Sequence, residues 1–428
     1  MAMDLLISPC GQLLTLTGSP SPRKGPSQAE LAMIPDGAVL IGDRKILRVG
    51  TAKELEASLQ GTTIKKISAE NRVVMPGFVD SHAHPIFALP RERDYEMRIR
   101  GKTYREIAEQ GGGILSSVRA VRNSSPQHLL EVSKPRLDRF IEHGTTTLEC
   151  KSGYGLDLEN EIKILEVIQA LQQHTALSLI PTFLGAHEIP EEYQSRKEDY
   201  VQLVSEVMIP EIASRHLAEF CDCFVEEHIF PVQWARRIFE SAQAHGFKIK
   251  LHADQLRRSG ATLLGIAMDA VSIDHLEQID EQDVQALANS NAISTLLPGS
   301  VFQLGTHPYP PARSLIDAGV PVALATDFNP GTSPTVNLQT ILSIACTQMH
   351  MTPAETIVAA TLNGAHALGL AHEIGSIEVG KQADLCIMDV AHYAQIPYFF
   401  GMNHCLMTIK KGEIVYQRGP DSSPRAQR

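Results

Sequence analysis

Eight times along its length this chain runs a short β-rich segment into a charged, helix-like stretch, and few folds accept that rhythm. The segments are VVMPGFVDSHAHPIFA (73–88), GTTTLECKSGYG (144–155), LSLIPTFLGAH (177–187), FCDCFVEEHIF (220–230), KIKLHADQ (248–255), AVSIDHLEQ (270–278), AISTLLPGS (292–300) and PVALATDFNPG (321–331). Strands alternating with helices form a parallel sheet, and eight such units close into an α/β (β/α)8 barrel of the TIM type. Only the element types recur; no sequence repeat underlies them. The ends read differently, as brief alternating strands among turn signals: DGAVLIGDRKILRVG near the start, EIGSIEVGKQADLCIMDV and MTIKKGEIVYQRG near the close. The expected architecture is a barrel over 73–372 and a small β-sandwich domain built from both termini, 1–72 and 373–428. GSPSPRKGPSQ (18–28) reads as a polar loop, and the polar last eight residues (421–428) read as a disordered tail.

A chain of 428 residues with 43% hydrophobic content has material for a core of that size. A formal charge of −11, with both signs scattered, argues against nucleic acid or an anionic membrane as partner. No apolar run reaches the length of a membrane span. MAMDLLISPCGQLL has an acid where a secretory signal needs bases, and seven cysteines without a framework read as reduced thiols, so a cytoplasmic location is expected. Cys221 and Cys223 of CDCF resemble a metal pair but sit in an apolar run, where core packing is the expectation.

Catalytic groups of such barrels gather at the C-terminal ends of the strands. His82 and His84 stand two apart at the end of the first β-run and so point the same way. His252 closes the fifth run, His275 the sixth and Asp327 the eighth. Neutral imidazoles with a carboxylate are the ligands of zinc or iron(II).

This pattern resembles the amidohydrolase superfamily. GGGILSSVRAVR, LECKSGYGLDLENEIKIL, PTFLGAHEIP, LHADQ and ALATDFNPGTSPT are similar to the imidazolonepropionase family within it, over residues from about 70 through EVGKQADL and PYFFG. The resemblance implies hydrolysis of the ring amide of 4-imidazolone-5-propanoate to N-formimidoyl-L-glutamate, a step of histidine degradation, by a homodimer. The alternatives are another reaction on the same scaffold, such as deamination of a heterocycle, or a barrel that has lost catalysis.

Within the resemblance, His82, His84, His252 and Asp327 would hold one divalent metal, Zn2+ or Fe2+. Two-metal relatives carry a carboxylated lysine after strand four, where this chain has Glu226 and Glu227; Lys151 follows strand two and is expected to be structural or pocket-lining. Asp327 would also pass a proton to the leaving nitrogen, and His275 would bind the water or polarise the attacked carbonyl. Arg91 would hold the substrate's carboxylate bidentately, with Arg93, Arg98 and Arg100 as solvated neighbours. The family usually reads Gly-Asp-Arg where this chain has Leu89-Pro90-Arg91. Tyr154, His187, Asn329, Gly331 and Thr332 would contact the substrate. Gln255 stands where deaminases place a titrating glutamate; it can hydrogen-bond a ring but cannot shuttle a proton. GGGILSSV (111–118) lacks the features of a phosphate loop and reads as a flexible cover over the barrel mouth.

Overall fold

The computed structural model describes residues 4–419, so the expected tail at 421–428 lies outside the described residues. Four early strands, β1 (Leu5–Leu14), β2 (Met33–Gly42), β3 (Lys45–Thr51) and β4 (Lys65–Pro76), open the chain. The parallel strands β5 (Phe78–Asp80), β6 (Thr145–Lys151), β7 (Ser178–Ala186), β8 (Phe220–Val225), β9 (Lys248–Ala253), β10 (Ser272–His275), β11 (Ile293–Leu296) and β12 (Val322–Leu324) follow, with β13 (Leu385–Met388), β14 (Cys405–Lys410) and β15 (Glu413–Gln417) at the end. Each of the eight β-runs read from the sequence contains one of the eight parallel strands.

β5 to β12 hydrogen-bond in sequence order. Closure between first and last runs through their C-terminal extensions: Ala83 bridges Phe328, the His84 N–H donates to the Phe328 carbonyl at 2.8 Å, and the Asp327 N–H to the His82 carbonyl at 3.0 Å. The Asp80 carboxylate adds a buried clasp, accepting from the Thr326 N–H at 3.0 Å and its hydroxyl at 2.6 Å. The seam is thus made where β5 and β12 deliver His82, His84 and Asp327.

The strands of both termini form one seven-stranded sheet in the order β15-β14-β13-β4-β1-β2-β3, in which β1 runs parallel to β4 and the other pairings are antiparallel. Ile7, Leu13, Val39, Val74, Leu385 and Ile409 pack one face into a core separate from that of the barrel. β4 ends at Pro76 and β5 begins at Phe78, so the HxH segment is anchored in both units.

Barrel strands buried on both faces read as continuous apolar runs, and each helix lays one stripe on them. The helix Leu158–Gln172 starts where Asp157 accepts from the Asn160 N–H at 2.8 Å and buries Ile164, Leu165, Ile168 and Leu171. Cys221 and Cys223 are buried and unpaired in β8. The expected polar loop at 18–28 is instead docked: Arg23 is 4% exposed and bonds the Leu16 and Thr17 carbonyls, while the buried Gln28 amide bonds Val322. GGGILSSV is not a loop throughout; the glycines turn between the helices Tyr104–Glu109 and Ile114–Arg122, and ILSSV begins the second. No described helix is long and apolar enough to cross a membrane.

Candidate active site

Inward positions of the barrel strands hold charge where a core would hold hydrocarbon. Glu149, Lys151, Asp222, Lys250 and Asp274 are all fully buried. The Lys151 ammonium donates to Asp222 at 2.6 Å and Glu149 at 3.0 Å; that of Lys250 donates to Glu149 at 2.8 Å and the Ser81 carbonyl at 2.7 Å. Both ammoniums stand about 4 Å from Asp274 Oδ2, at 3.8 and 4.0 Å. His82, Glu149 and Asp274 could by distance hold an ion, but the two ammoniums already supply that positive charge.

Above this layer sit the histidines. The His82 Nδ1–H donates to Asp274 Oδ2 at 2.6 Å, and the His252 Nδ1–H to Asp222 Oδ1 at 3.1 Å. A carboxylate only accepts, so each contact leaves the Nε2 lone pair free on the opposite edge. Burial alone would raise the Asp222 pKa, but His252 and Lys151 outweigh it and hold the carboxylate well below its usual range. Burial likewise holds His82 and His84 well below the ordinary imidazole value and His252 at about 4, so all three are neutral at pH 7.

The ligand atoms of His82, His84 and His252 lie within 4.8 Å of one another. Nε2 of His82 and Nε2 of His84 are 3.3 Å apart, and Asp327 Oδ1 is 3.7 and 3.6 Å from them. Donors about 2.0–2.2 Å from a tetrahedral ion stand roughly 3.3–3.6 Å apart. Nitrogens held at that spacing beside a carboxylate suit a divalent cation.

His275 reaches the cluster by breaking the strand's alternation. It and Leu276 take φ of 82° and 71°, and Asp327 takes 51°, left-handed values that residues other than glycine adopt infrequently. The turn brings the His275 ring 5.2 Å from that of His252 and sets its Nδ1 3.3 Å from Glu277 Oε1. Burial would lower the His275 pKa, but Glu277 and Asp327 outweigh it and raise it. Asp327 is pushed up to about 7, chiefly by burial, with His275 opposing it.

His187 stacks on His84 with centroids 5.2 Å apart, its Nδ1–H donating to the Gly153 carbonyl at 3.0 Å, and Tyr154 lies 5.5 Å from it. Gln255 is half-buried and its amide makes no hydrogen bond among the described residues. The loop after β12 folds on itself: Asn329 Oδ1 accepts from the Gly331 and Thr332 N–H groups at 2.8 and 2.7 Å, and its Nδ2 donates to the Asp327 carbonyl at 2.7 Å. The amide groups of Asn329 and Thr332, expected to face a substrate, are engaged in shaping this turn. Arg91 is packed against Gly331, where an added Cβ would come 2.5 Å from Nη1. Leu89-Pro90 thus delivers the arginine to the loop that carries Asp327.

Arg98 departs from expectation. Rather than lying solvated like Arg93 and Arg100, it is half-buried and its Nη2 reaches the Gly331 carbonyl at 3.4 Å. The other omission is the buried charge layer. Its signal lay in charges at alternate positions of apolar runs, as in ECK, CDC and KIKLH, two residues apart or two before a ligand.

The sequence profile of the amidohydrolase family matches residues 73–415. The chain is similar to an imidazolonepropionase of Solibacter usitatus (strain Ellin6076), 47% identical over 97% of this chain and 99% of that one. It is also 46% identical to an imidazolonepropionase of Geobacillus thermodenitrificans (strain NG80-2), over 97% and 98%. In fold it is similar to an adenosine deaminase from Xanthomonas campestris crystallised with zinc, at a TM-score of 0.71, 19% identity and coverage of 96% and 92%. Guanine deaminase of E. coli gives 0.70 at 17% identity over 98% and 100%. Such distant likenesses carry the fold, while the closely similar sequences carry the branch: the chain belongs to the amidohydrolase family, among its imidazolonepropionases.

Proposed function

We infer that this chain hydrolyses the ring amide of 4-imidazolone-5-propanoate to N-formimidoyl-L-glutamate. The observation that carries the reading is the convergence of neutral His82 and His84 with Asp327 on one point, beside the loop whose Gly331 supports Arg91. His82, His84, His252 and Asp327 would hold a single zinc or iron(II) ion. When bound, such an ion lowers the pKa of a water from near 16 to roughly 7 and supplies hydroxide.

Asp327 accepts a proton from the attacking water. His275, held by Glu277, donates a hydrogen bond to the oxygen that gains charge as hydroxide adds to the ring carbonyl. The carbon–nitrogen bond then breaks, and Asp327 returns its proton to the departing nitrogen. Arg91 binds the propanoate arm, which a protein of net charge −11 would otherwise repel. Tyr154 and His187 flank the ring, Gln255 hydrogen-bonds it, and Asn329, Gly331 and Thr332 keep the loop and its backbone against it. The barrel over 73–372 carries this chemistry, and 1–72 with 373–428 forms the supporting domain, in a cytoplasmic homodimer. The exposed apolar strip Tyr398, Phe399, Phe400 and Met402 is suited to the dimer contact, and sedimentation should give twice the chain mass.

The test is mass spectrometry of the product from metal-loaded protein. A species one water heavier than the substrate, matching N-formimidoyl-L-glutamate, supports the reading; release of ammonia with a product about one mass unit heavier than the substrate would replace it with deamination.

A further inference from the structure

Two guanidiniums meet at Gly331, and a carboxylate binds one of them. Arg91 caps the helix Glu92–Ile99, and Arg98 stands seven residues on, two turns along the same face. Both reach the loop after β12, Arg91 against the Gly331 α-carbon and Arg98 through the Gly331 carbonyl. Asp94 lies between them. Its Oδ2 takes the Arg91 Nε–H at 2.8 Å and the Gly113 N–H at 2.9 Å.

Arg98 has no ion pair among the described residues. Its Nε is buried and has no hydrogen-bond partner. Burial, and then the charge of Arg91, hold its pKa below the ordinary arginine value. A long contact to a neutral carbonyl, the ring of Tyr95 5.8 Å away and the charge of Asp94, whose Oδ2 already takes the Arg91 Nε–H, accompany the guanidinium. Half-burying an unpaired cation beside another is costly unless an anion completes it. A carboxylate offers four lone-pair sites on two oxygens. Arg91, its Nε already committed to Asp94, can serve only some of them.

We propose that Arg98 is a second guanidinium of the anion pocket, sharing with Arg91 the carboxylate of the substrate's arm. This rests on the substrate reading above. It makes Arg98 a specificity residue for ring amides that carry an acid chain. Arg93 and Arg100, exposed on the same segment, have no such role.

The experiment is calorimetric titration of the metal-loaded protein with two probes, imidazole-4-propanoate, which carries the arm, and 4-methylimidazole, which lacks it. Arg98→Met should weaken the acid by about tenfold or more while moving the neutral ring less than about twofold, the signature of a lost charge-assisted bond. Arg98→Lys, which keeps the charge, should recover part of the loss and decides the matter if the methionine variant does not fold. In turnover KM should rise with kcat nearly unchanged. Equal weakening of both probes, or of neither, would mean that Arg98 only braces the loop and would overturn the proposal. Failure of the wild-type protein to hydrolyse 4-imidazolone-5-propanoate is a separate result, counting against the substrate reading, because the two-probe comparison needs no turnover.

Discussion

Asp274 Oδ2 stands 2.6 Å from His82 Nδ1, and that contact decides which edge of the imidazole faces the site. The carboxylate is itself held by Ser272 and lies within 4 Å of two ammoniums, so the ligand's orientation is set from three directions below it. The centre is therefore organised by the charged layer beneath it.

Asp274→Asn keeps the shape but offers an amide that can donate as well as accept, so the His82 tautomer is no longer fixed. Loss of such a partner typically costs roughly 10–100-fold in metal affinity. Competition with a chromophoric chelator should show a loss on the order of tenfold, and an unchanged affinity would mean that His82 needs no partner.

Gly331→Ala tests the anion pocket from its other side. The added methyl would come 2.5 Å from Arg91 Nη1, and the flexible end of the arginine must move. Metal content and thermal midpoint should stay near wild type while KM rises roughly tenfold, the effect of weakening one charged hydrogen bond. An unchanged KM would place the carboxylate elsewhere.

The barrel was legible because its strands are short apolar runs ending in polar residues, and the metal-capable residues because strand ends face the mouth. Lys250 and Asp222 were harder to see, since a charge inside a β-run is ordinarily read as an outward face. Only the closed barrel turns these positions inward, where ammonium and carboxylate can satisfy each other. Arg98 was invisible for a different reason: its partner Gly331 lies 233 residues away, and no local pattern encodes that meeting.

His366 supplies a pH dependence remote from the site. Burial, with Lys381 and Arg23 adding to it, lowers its pKa to about 4, and its Nε2 is buried without a partner. The unfolded chain binds this proton near the ordinary value of about 6.5 and the folded chain does so only near 4, so stability is intact above 6.5 and is lost as pH falls between the two. Denaturant unfolding at pH 7 and pH 4.5 should show His366→Leu losing about 2 kcal/mol less than wild type across that interval. Parallel losses would assign the acid sensitivity to other groups.

The most direct measurement follows the ultraviolet absorbance of freshly generated 4-imidazolone-5-propanoate with metal-loaded protein, chelated protein, and chelated protein resupplied with zinc or iron(II). The absorbance should fall in the first and third samples and hold steady in the second, since the three neutral histidines and Asp327 are arranged for an ion that supplies the nucleophile. Equal decay with chelated protein, shown to be free of metal, would contradict the account, as would no decay with metal bound.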